Sequence, residues 1–407
     1  MSYAIAMLSI HTSPLDNPGR TKDAGGMNVY IRELTRELAA HNVQVDIFTR
    51  RTRETTPTIV QLHPNVRVIH IDAGPIATIH KNELYLYTPT FARRIEEFRR
   101  REDMRYDAIH SHYWLSGVAA MRLACYWSVP HITMFHTLGR LKQLANPTEA
   151  EPPLRLEMEQ RLIHQADRII AATADERAHM IRYCGATQHQ IDVIPCGVDL
   201  RLFEPYDKQL ARHKIGLQAA QPVLLFAGRL DPFKGPDQLL RAAALMQEDA
   251  QIVIVGGNLV DDKDLQQLQS LARELQIEQR VHFMGARTRE EMPLFYSAAD
   301  VTVVPSYHET FGLAAVESLA CGTPVVATRA GGLMTVVRHG ETGFLVPRCP
   351  GFFAERLDML LRDDHLREQL SAAARPSVQQ FAWQHVARQV EAIYDELISV
   401  GQCLVAL

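Results

Sequence analysis

The sequence predicts an α/β protein built from two doubly wound Rossmann-like domains that face a central crevice. Short apolar runs rich in β-branched residues alternate with longer helical patterns, which is typical of parallel sheets covered by helices on both faces. The alternation restarts near residue 220, and 407 residues exceed one ordinary hydrophobic core. We therefore expect loops at the carboxyl ends of both sheets to bind the ligands.

The first domain is predicted over residues 1–200. Its candidate strands lie at 1–10, 43–48, 66–71, 107–110, 131–135, 168–172 and 192–195. The opening run is apolar but carries no basic segment, so it is interpreted as a strand rather than a signal peptide. Residues 200–221 have no strand-like run and are predicted to be the hinge and linker.

The second domain is predicted over residues 201–385, and residues 386–407 are predicted to form a C-terminal helix. The candidate strands of this domain lie at 223–227, 251–255, 281–284, 300–304, 325–328 and 343–346. Their spacing leaves room for one helix between successive strands, which again predicts a parallel sheet.

Composition excludes several classes of protein. The net charge of -4 gives no basic surface for general nucleic-acid binding. No apolar run approaches the roughly 20 residues of a membrane span, so stable membrane insertion is not expected. The 6 cysteines include no Cys-x-x-Cys pair, which favours the reducing cytoplasm. The sequence leaves homodimerisation open.

The stretch 305–324 is the first candidate for ligand binding. It follows a candidate strand, and a helix is predicted to open at Phe311 and Gly312. The unpaired amides and the positive end of the helix dipole at this point favour an anion. Glu309 precedes the helix and Glu317 lies inside it, so both carboxylates can accept hydrogen bonds from hydroxyl groups. The pattern favours a phosphorylated ligand rich in hydroxyls.

Two other segments are candidates for phosphate binding. Arg229 and Lys234 follow the strand at 223–227 within one short loop, so both cations can converge on a single diphosphate. Gly25 and Gly26 precede an amphipathic helix and allow the backbone to approach a phosphate closely.

Taken together, these motifs resemble those of the retaining glycosyltransferases of family four, which have the GT-B fold. The resemblance covers almost the whole chain and implies transfer of a hexose from a UDP-sugar. It implies that Glu309 contacts the donor sugar, that Glu317 holds the ribose hydroxyls, and that Arg229 and Lys234 neutralise the leaving diphosphate. It also implies that the last helix crosses back onto the first domain. The other residues that it assigns to the donor site are Gly25, Gly26, Arg287, Phe311, Gly312 and Leu313.

His136 stands at a strand end, where a histidine by itself is usually a satisfied polar group. The resemblance places it against the donor sugar, where its ring or the adjacent backbone stabilises positive charge at the anomeric carbon. No residue presents itself as a covalent nucleophile held by a neighbouring base, so electrostatic stabilisation of the leaving group is expected to supply most of the catalysis. The catalytic set is therefore His136, Arg229, Lys234 and Glu309.

The run from Gly25 to Tyr30 resembles the branch of the family that glycosylates D-inositol 3-phosphate in mycothiol synthesis. This resemblance implies a phosphate monoester acceptor, bound by two cations and two hydroxyls, and GlcNAc or glucose as the transferred hexose. The acceptor residues that it implies are Asn28, Lys81, Tyr113, Thr137 and Arg155.

Other functions stay open. Sucrose-phosphate synthases share the fold and transfer glucose from UDP-glucose to fructose 6-phosphate, but they tend to carry glutamine after the paired glycines, where this chain has Met27 and Asn28. A non-catalytic nucleotide-sugar-binding protein is a hypothesis from another class, and the joint presence of both glutamates and both cations opposes it. A polysaccharide or lipid-linked sugar transferase is a third possibility.

No cofactor or metal is expected. His110 and His112 share a strand face without a third ligand nearby in sequence, so a zinc site is not predicted. Asp262 and Asp264 form an Asp-x-Asp pattern in a charged segment that is interpreted as a solvated face. One departure from many relatives is Leu333 soon after the paired glycines at 331–332, where they carry glutamate.

Overall fold

The computed structural model describes residues 3–16, 25–145, 150–218, 220–259 and 262–405. These residues form two compact units, each built around its own sheet. The first unit contains the described chain up to Pro195 together with the terminal helix from Trp383, and the second contains Cys196–Ala382. The predicted fold class is confirmed. The unit boundaries fall after residues 195 and 382, whereas the sequence placed them after 200 and 385.

The first unit contains a sheet of eight strands. They are β1 (Ala4–Leu8), β2 (Gln44–Arg50), β3 (Ile59–His63), β4 (Val66–Ile71), β5 (Ala108–His112), β6 (His131–Met134), β7 (Arg168–Ala171) and β8 (Ile191–Val193). Their order is β3-β4-β2-β1-β5-β6-β7-β8, and only the edge pair β3 and β4 is antiparallel.

Two differences from the predicted strands have physical causes. The strand β3 was not predicted, since it is a short, partly exposed edge strand without a clear apolar pattern. The strand β5 continues to His112, two residues beyond its predicted end at 110. Ser111 and His112 are polar but fully buried, and Ser111 is satisfied by hydrogen bonds to neighbouring strand β6.

Helices cover both faces of this sheet. They are α1 (Gly26–Ala40), α2 (Thr88–Arg101), α3 (Trp114–Trp127), α4 (Gly139–Ala145), α5 (Pro153–Gln165) and α6 (Ala174–Cys184). The apolar face of α1 consists of Tyr30, Ile31, Leu34 and Leu38, none of them more than 1% exposed. This amphipathic stripe is the reason that the segment forms a helix against the sheet.

The second unit has a six-stranded parallel sheet. Its strands are β9 (Val223–Ala227), β10 (Gln251–Val255), β11 (Val281–Gly285), β12 (Val301–Val304), β13 (Val325–Thr328) and β14 (Gly343–Val346), in the order β11-β10-β9-β12-β13-β14. All six were predicted, because five of them are buried and read as continuous apolar runs and the partly exposed β11 is still mostly apolar.

The helices of the second unit correct one prediction. They are α7 (Lys208–Lys214), α8 (Pro236–Leu245), α9 (Lys263–Glu274), α10 (Met292–Ala298), α11 (Leu313–Ala320), α12 (Leu333–Val336), α13 (Pro350–Arg362) and α14 (Asp364–Val378). Residues 200–221 were predicted to be a linker, but they contain α7 and pack within this unit. Lys208 and Arg212 both donate to the buried carboxylate of Asp300. A short helix held by long-range ion pairs leaves no strand-like run, so the sequence pattern missed it.

The terminal helix α15 (Trp383–Val405) belongs to the first unit. Trp383 is fully buried, and its ring packs edge-on against Tyr30 of α1 with 5.4 Å between ring centroids. The hydroxyl of Tyr394 lies 2.7 Å from Nδ1 of His110 on β5. The helix is therefore part of the first unit's packed interior.

Candidate functional site

The second unit places two separate motifs beside each other. Strand β9 lies between β10 and β12, so the strand order reverses there, and loops diverge at the carboxyl ends of β9 and β12. Lys234 follows β9 and Glu309 follows β12. The ammonium Nζ of Lys234 lies 2.7 Å from Oε1 and 2.8 Å from Oε2 of Glu309. Two of the predicted catalytic residues thus form one ion pair.

Glu309 is held by a second donor. The hydroxyl of Ser306 donates to its Oε1 at 2.7 Å. Burial pushes the pKa of Glu309 upward, but attraction to Lys234 and the hydrogen bonds from Lys234 and Ser306 outweigh it, so the pKa lies below its ordinary value. The carboxylate is therefore ionised at neutral pH and points in a fixed direction, with 14% of its side chain exposed.

The loop that carries Lys234 also carries Arg229, as predicted from their spacing. Nε of Arg229 donates to Asp231 at 2.9 Å, and 39% of the Arg229 side chain is exposed. Gly235 ends the loop with φ +75°, and a Cβ there would lie 2.4 Å from the carbonyl oxygen of Pro305. This close approach brings the Lys234 loop against the Glu309 loop, and any other residue would separate them.

The helix α11 provides the other predicted donor residues of this unit. Phe311 is buried and packs edge-on against Phe381, with 5.3 Å between ring centroids. Gly312 has φ +101° and precedes Leu313, the first residue of the helix. Inside the helix, Oε2 of Glu317 accepts a hydrogen bond of 2.9 Å from the hydroxyl of Tyr296. Tyr296 thereby fixes the Glu317 carboxylate.

Two further features of this unit concern earlier predictions: the paired-glycine turn at 331–332, where the sequence departs from many relatives, and Arg287, which was predicted to be a donor residue. The amide of Gly332 donates to the carbonyl of Glu309 at 2.7 Å, so the paired-glycine turn supports the Glu309 loop even though Leu333 follows it. Arg287, predicted in the donor site, has its guanidinium 3.6 Å from Glu291 and lies over the ring of Phe295. Arg287 thus contacts Glu291, just before α10, and Phe295 on that helix.

In the first unit, polar groups gather at the carboxyl ends of β1, β5 and β6. His11 follows β1, and its ring lies 4.4 Å from that of Tyr113, which follows β5. His136 follows β6, and its Nε2 shares a hydrogen bond of 2.9 Å with Nδ1 of His112. Tyr113 has φ +73° and His136 has φ +58°, both rare for residues with a side chain. Such strain is typical of functional loops.

The histidines of this cluster are neutral at pH 7. Burial lowers the pKa of His11 and of His136 to about 3 and that of His112 well below its ordinary value, and the charges of Lys81 and Arg155 add to the effect at His11. A neutral His136 can polarise or orient a ligand but does not carry a positive charge.

Arg155 lies on α5 with only 5% of its side chain exposed. Its Nε donates to Glu159 at 2.7 Å, its Nη1 to Glu151 at 2.8 Å and its Nη2 to the carbonyl of Thr137 at 2.6 Å. The guanidinium also lies 5.1 Å from the ring centroid of Tyr113. Three predicted acceptor residues, Arg155, Tyr113 and Thr137, are therefore brought together.

Lys81 and Asn28 complete the predicted acceptor set. Lys81 is half-buried, and its charge acts with that of Arg155 to lower the pKa of His11. Asn28 is buried on α1, and its amide donates to the hydroxyl of Thr12 at 2.8 Å. The paired glycines stand at the start of the same helix, where the amide of Gly25 donates to Asn28 at 3.4 Å.

The sequence reasoning missed several residues of these clusters. Tyr296 and His112 contact predicted residues that lie 21 and 24 positions away, so no local signal pointed to them. Ser306 lies only three residues before Glu309, in the same loop, and was not singled out as a donor to it. The pair Glu151 and Arg155 has helical i,i+4 spacing, and this pattern could have predicted the ion pair.

The described residues contain no group of three or more histidine, cysteine, aspartate or glutamate side chains placed to hold a metal ion. Asp262, part of the Asp-x-Asp pattern, caps α9 by accepting from the amides of Asp264 and Leu265. Among the helices described, none has the length and apolar character needed to cross a membrane.

Family models match most of the chain in two segments. The model described as Glycosyltransferase Family 4 matches residues 24–202, and the model described as Glycosyl transferases group 1 matches residues 207–376. The chain is 41% identical to the D-inositol 3-phosphate glycosyltransferase of Corynebacterium diphtheriae, covering 99% of this chain and 97% of that protein. It is 43% identical to the protein of the same name from Frankia alni, covering 96% and 98%.

Solved structures match over nearly the full length. A sucrose-phosphate synthase from Thermosynechococcus elongatus superposes with a TM-score of 0.92 at 34% identity, covering 98% of this chain and 100% of that one. Anabaena HepE in complex with UDP and glucose superposes with a TM-score of 0.78 at 21% identity, covering 97% and 100%, and this likeness concerns the fold alone.

Proposed function

The chain belongs to glycosyltransferase family 4, a family of retaining nucleotide-sugar-dependent transferases with the GT-B fold, and from this we propose its reaction. It moves a hexose, GlcNAc or glucose, from a UDP-sugar to a small phosphorylated polyol such as inositol phosphate. The observation that carries this proposal is the buried guanidinium of Arg155 over the ring of Tyr113, because a buried cation beside a hydroxyl-bearing side chain suits a phosphate monoester.

The relatives favour inositol phosphate over fructose 6-phosphate as acceptor. Two proteins named D-inositol 3-phosphate glycosyltransferase share 41% and 43% identity with this chain, and the sucrose-phosphate synthase shares 34%. Asn28, Lys81, Tyr113, Thr137 and Arg155 are the acceptor residues in this proposal.

On the donor side, Arg229 and Lys234 bind the diphosphate of the UDP-sugar. Lys234 is preset by Glu309 and Arg229 by Asp231, so both cations are oriented before the donor arrives. Glu309 contacts the sugar, and Glu317, fixed by Tyr296, accepts hydrogen bonds from ribose hydroxyls. The remaining donor residues of the proposal are Gly25, Gly26, Arg287, Phe311, Gly312 and Leu313.

Transfer with retention needs the diphosphate to leave on the face from which the acceptor hydroxyl attacks. Negative charge develops on the leaving diphosphate, and preset cations stabilise it without reorganising at that moment. Positive charge develops at the anomeric carbon. A neutral His136, whose orientation is set by His112, can place its ring dipole or the adjacent carbonyl against that charge. No covalent intermediate on the protein is required.

We further propose that catalysis needs no metal ion or other cofactor, since Arg229 and Lys234 already offset the diphosphate charge. Turnover is then expected to be the same after dialysis against EDTA as with added Mg²⁺ or Mn²⁺. Loss of turnover in EDTA with recovery on adding a divalent cation would contradict this.

Release of UDP from UDP-GlcNAc and UDP-glucose tests the function directly. Each donor is offered with inositol 3-phosphate, with fructose 6-phosphate, or with no acceptor. We expect inositol 3-phosphate to stimulate UDP release. Stimulation only by fructose 6-phosphate with UDP-glucose would make the chain a sucrose-phosphate synthase. Binding of UDP without release from any pair would support the non-catalytic binding hypothesis.

A cytoplasmic location, the absence of nucleic-acid binding and a homodimeric state also stay proposals. Light scattering after gel filtration tests the dimer, and a monomeric mass at micromolar concentration would contradict it. Cell fractionation tests the location.

A further inference from the structure

The ion pairs around Arg155 extend to a second cation. Oε2 of Glu151 accepts from Nη1 of Arg155, and its Oε1 lies 2.8 Å from Nζ of Lys142 on α4. One carboxylate therefore bridges two cations, as a phosphate bridges two basic side chains. Burial raises the pKa of Glu151, but attraction to Arg155 and Lys142 outweighs it and holds the pKa below its ordinary value. The bridge is thus ionised at neutral pH.

The two carboxylates that hold Arg155 differ in how tightly they are fixed. Glu159 lies in the middle of α5, is 3% exposed, and also accepts from the amide of Gly139 at 2.8 Å. Rotating the Glu159 side chain away would leave that buried amide without its acceptor. Glu151 precedes the first residue of α5, and the contacts that the structure describes for its carboxylate are those with Arg155 and Lys142. Of the two anions, Glu151 is the one that can leave.

The charge balance favours such a departure when a phosphate arrives. Arg155 and Lys142 carry two positive charges, which Glu151 and Glu159 offset in full. Three of the five guanidinium N–H groups of Arg155 donate to the partners above. A phosphate dianion near Arg155 would face the like charge of Glu151 at hydrogen-bond range, which disfavours both being ionised in place.

We propose that Glu151 is a built-in competing anion of the acceptor site, which holds Arg155 and Lys142 in place and is displaced by the acceptor phosphate, and that Lys142 then becomes an additional phosphate ligand. This inference rests on the proposed function of the site. Glu151 sets the affinity for the phosphate group, because an acceptor must displace it. An unphosphorylated polyol carries no charge that competes with Glu151, so its binding does not depend on this displacement.

The variant Glu151→Gln removes the competing charge and keeps the shape of the side chain. The dissociation constant of inorganic phosphate, measured by calorimetry on the full chain, is expected to fall about tenfold. The acceptor KM for inositol 3-phosphate is expected to fall by the same factor. Binding of unphosphorylated inositol should not change. The matched control is Glu157→Gln on α5, whose side chain is 55% exposed and pairs with Arg161. Unchanged or weaker phosphate binding in Glu151→Gln overturns the inference.

Lys142→Met is the second variant, and it keeps the inference testable if Glu151→Gln does not fold. It is expected to weaken inorganic phosphate binding, and unchanged binding would overturn the role of Lys142. If the wild-type chain bound neither inorganic phosphate nor inositol 3-phosphate, the acceptor class in the proposed function would fail, and this inference with it. If the wild type bound both and Glu151→Gln gained nothing, only the inference about Glu151 would fail.

Discussion

Replacing Lys234 by methionine tests the ion pair on which the donor site is built. Methionine keeps most of the volume of the lysine stem and removes the ammonium. The side chains of Lys234 and Glu309 are 25% and 14% exposed, so water replaces the lost partner only in part. Ser306 still donates to Glu309 in the variant.

Two magnitudes follow from this geometry. The leaving diphosphate loses one preset cation, which should lower kcat about 100- to 1,000-fold. The carboxylate of Glu309 loses two charge-assisted hydrogen bonds, which should lower the free energy of unfolding by about 2 kcal/mol at pH 7.

The stability loss should depend on pH in a specific direction. In the wild type, the folded-state pKa of Glu309 is depressed, so the pair stabilises the fold above the ordinary pKa near 4.5. In Lys234→Met, burial prevails and raises that pKa, so the variant loses stability as pH rises above about 4.5. The difference between wild type and variant is therefore expected to be largest at pH 7, to shrink towards pH 4.5, and to become small only below the depressed pKa of Glu309.

Release of UDP measures turnover, and urea unfolding at both pH values measures stability. Lys263→Met is the matched control, because Lys263 is an exposed lysine at the start of α9 in the same unit. The double variant with Glu309→Gln should regain stability at pH 7 but not turnover. Near-normal turnover in a folded Lys234→Met protein would refute the role of Lys234, and pH-independent destabilisation would refute the electrostatic reasoning.

Three further predictions concern other parts of the chain. Tyr296→Phe removes the hydroxyl that donates a hydrogen bond to Glu317. The KM for the UDP-sugar should rise about fivefold with kcat nearly unchanged. An unchanged KM in UDP-release kinetics would contradict this. Burial raises the pKa of Glu176 to about 7, so ionising this carboxyl lowers the free energy of unfolding as pH rises from about 4.5 through 7. Glu176→Gln should remove about 3 kcal/mol of this loss. The same change in urea stability between pH 5 and pH 8 for both proteins would exclude this effect. Lys81→Ala should raise the acceptor KM and leave donor hydrolysis nearly intact, and equal damage to both rates would count against its acceptor role.

Most of the strands could be predicted because parallel strands buried on both faces are continuous apolar runs. The prediction of strands failed for segments that are not continuous apolar runs. Strand β3 is a partly exposed edge, and β5 ends in the buried polar residues Ser111, whose partners lie on β6, and His112, which pairs with His136 beyond β6. The helix α7 is held by Asp300, which lies 92 positions after Lys208 in the chain.

In the candidate site, too, local motifs could be predicted and contacts between distant residues could not. Local motifs indicated Arg229, Lys234, Glu309 and Glu317, because a cationic loop after a strand and glutamates at a helix start have chemical meaning within a few residues. Their pairing was not visible, since Lys234 and Glu309 are 75 positions apart. The resemblance indicated His136, whereas nothing in the local sequence pointed to the hydrogen bond between His136 and His112 that orients its ring.

The sequence by itself determined the fold class, the positions of most strands and the residue types available for binding phosphate and hydroxyl groups. These depend on the order of apolar and polar residues along the chain. Only the tertiary structure decided which charges meet: β9 lies beside β12, so Lys234 reaches Glu309, and α4 and α5 bring Lys142 and Arg155 to the same carboxylate of Glu151. Ion pairs act over a few ångströms, and the order of strands in the sheet and the packing of the helices set those distances.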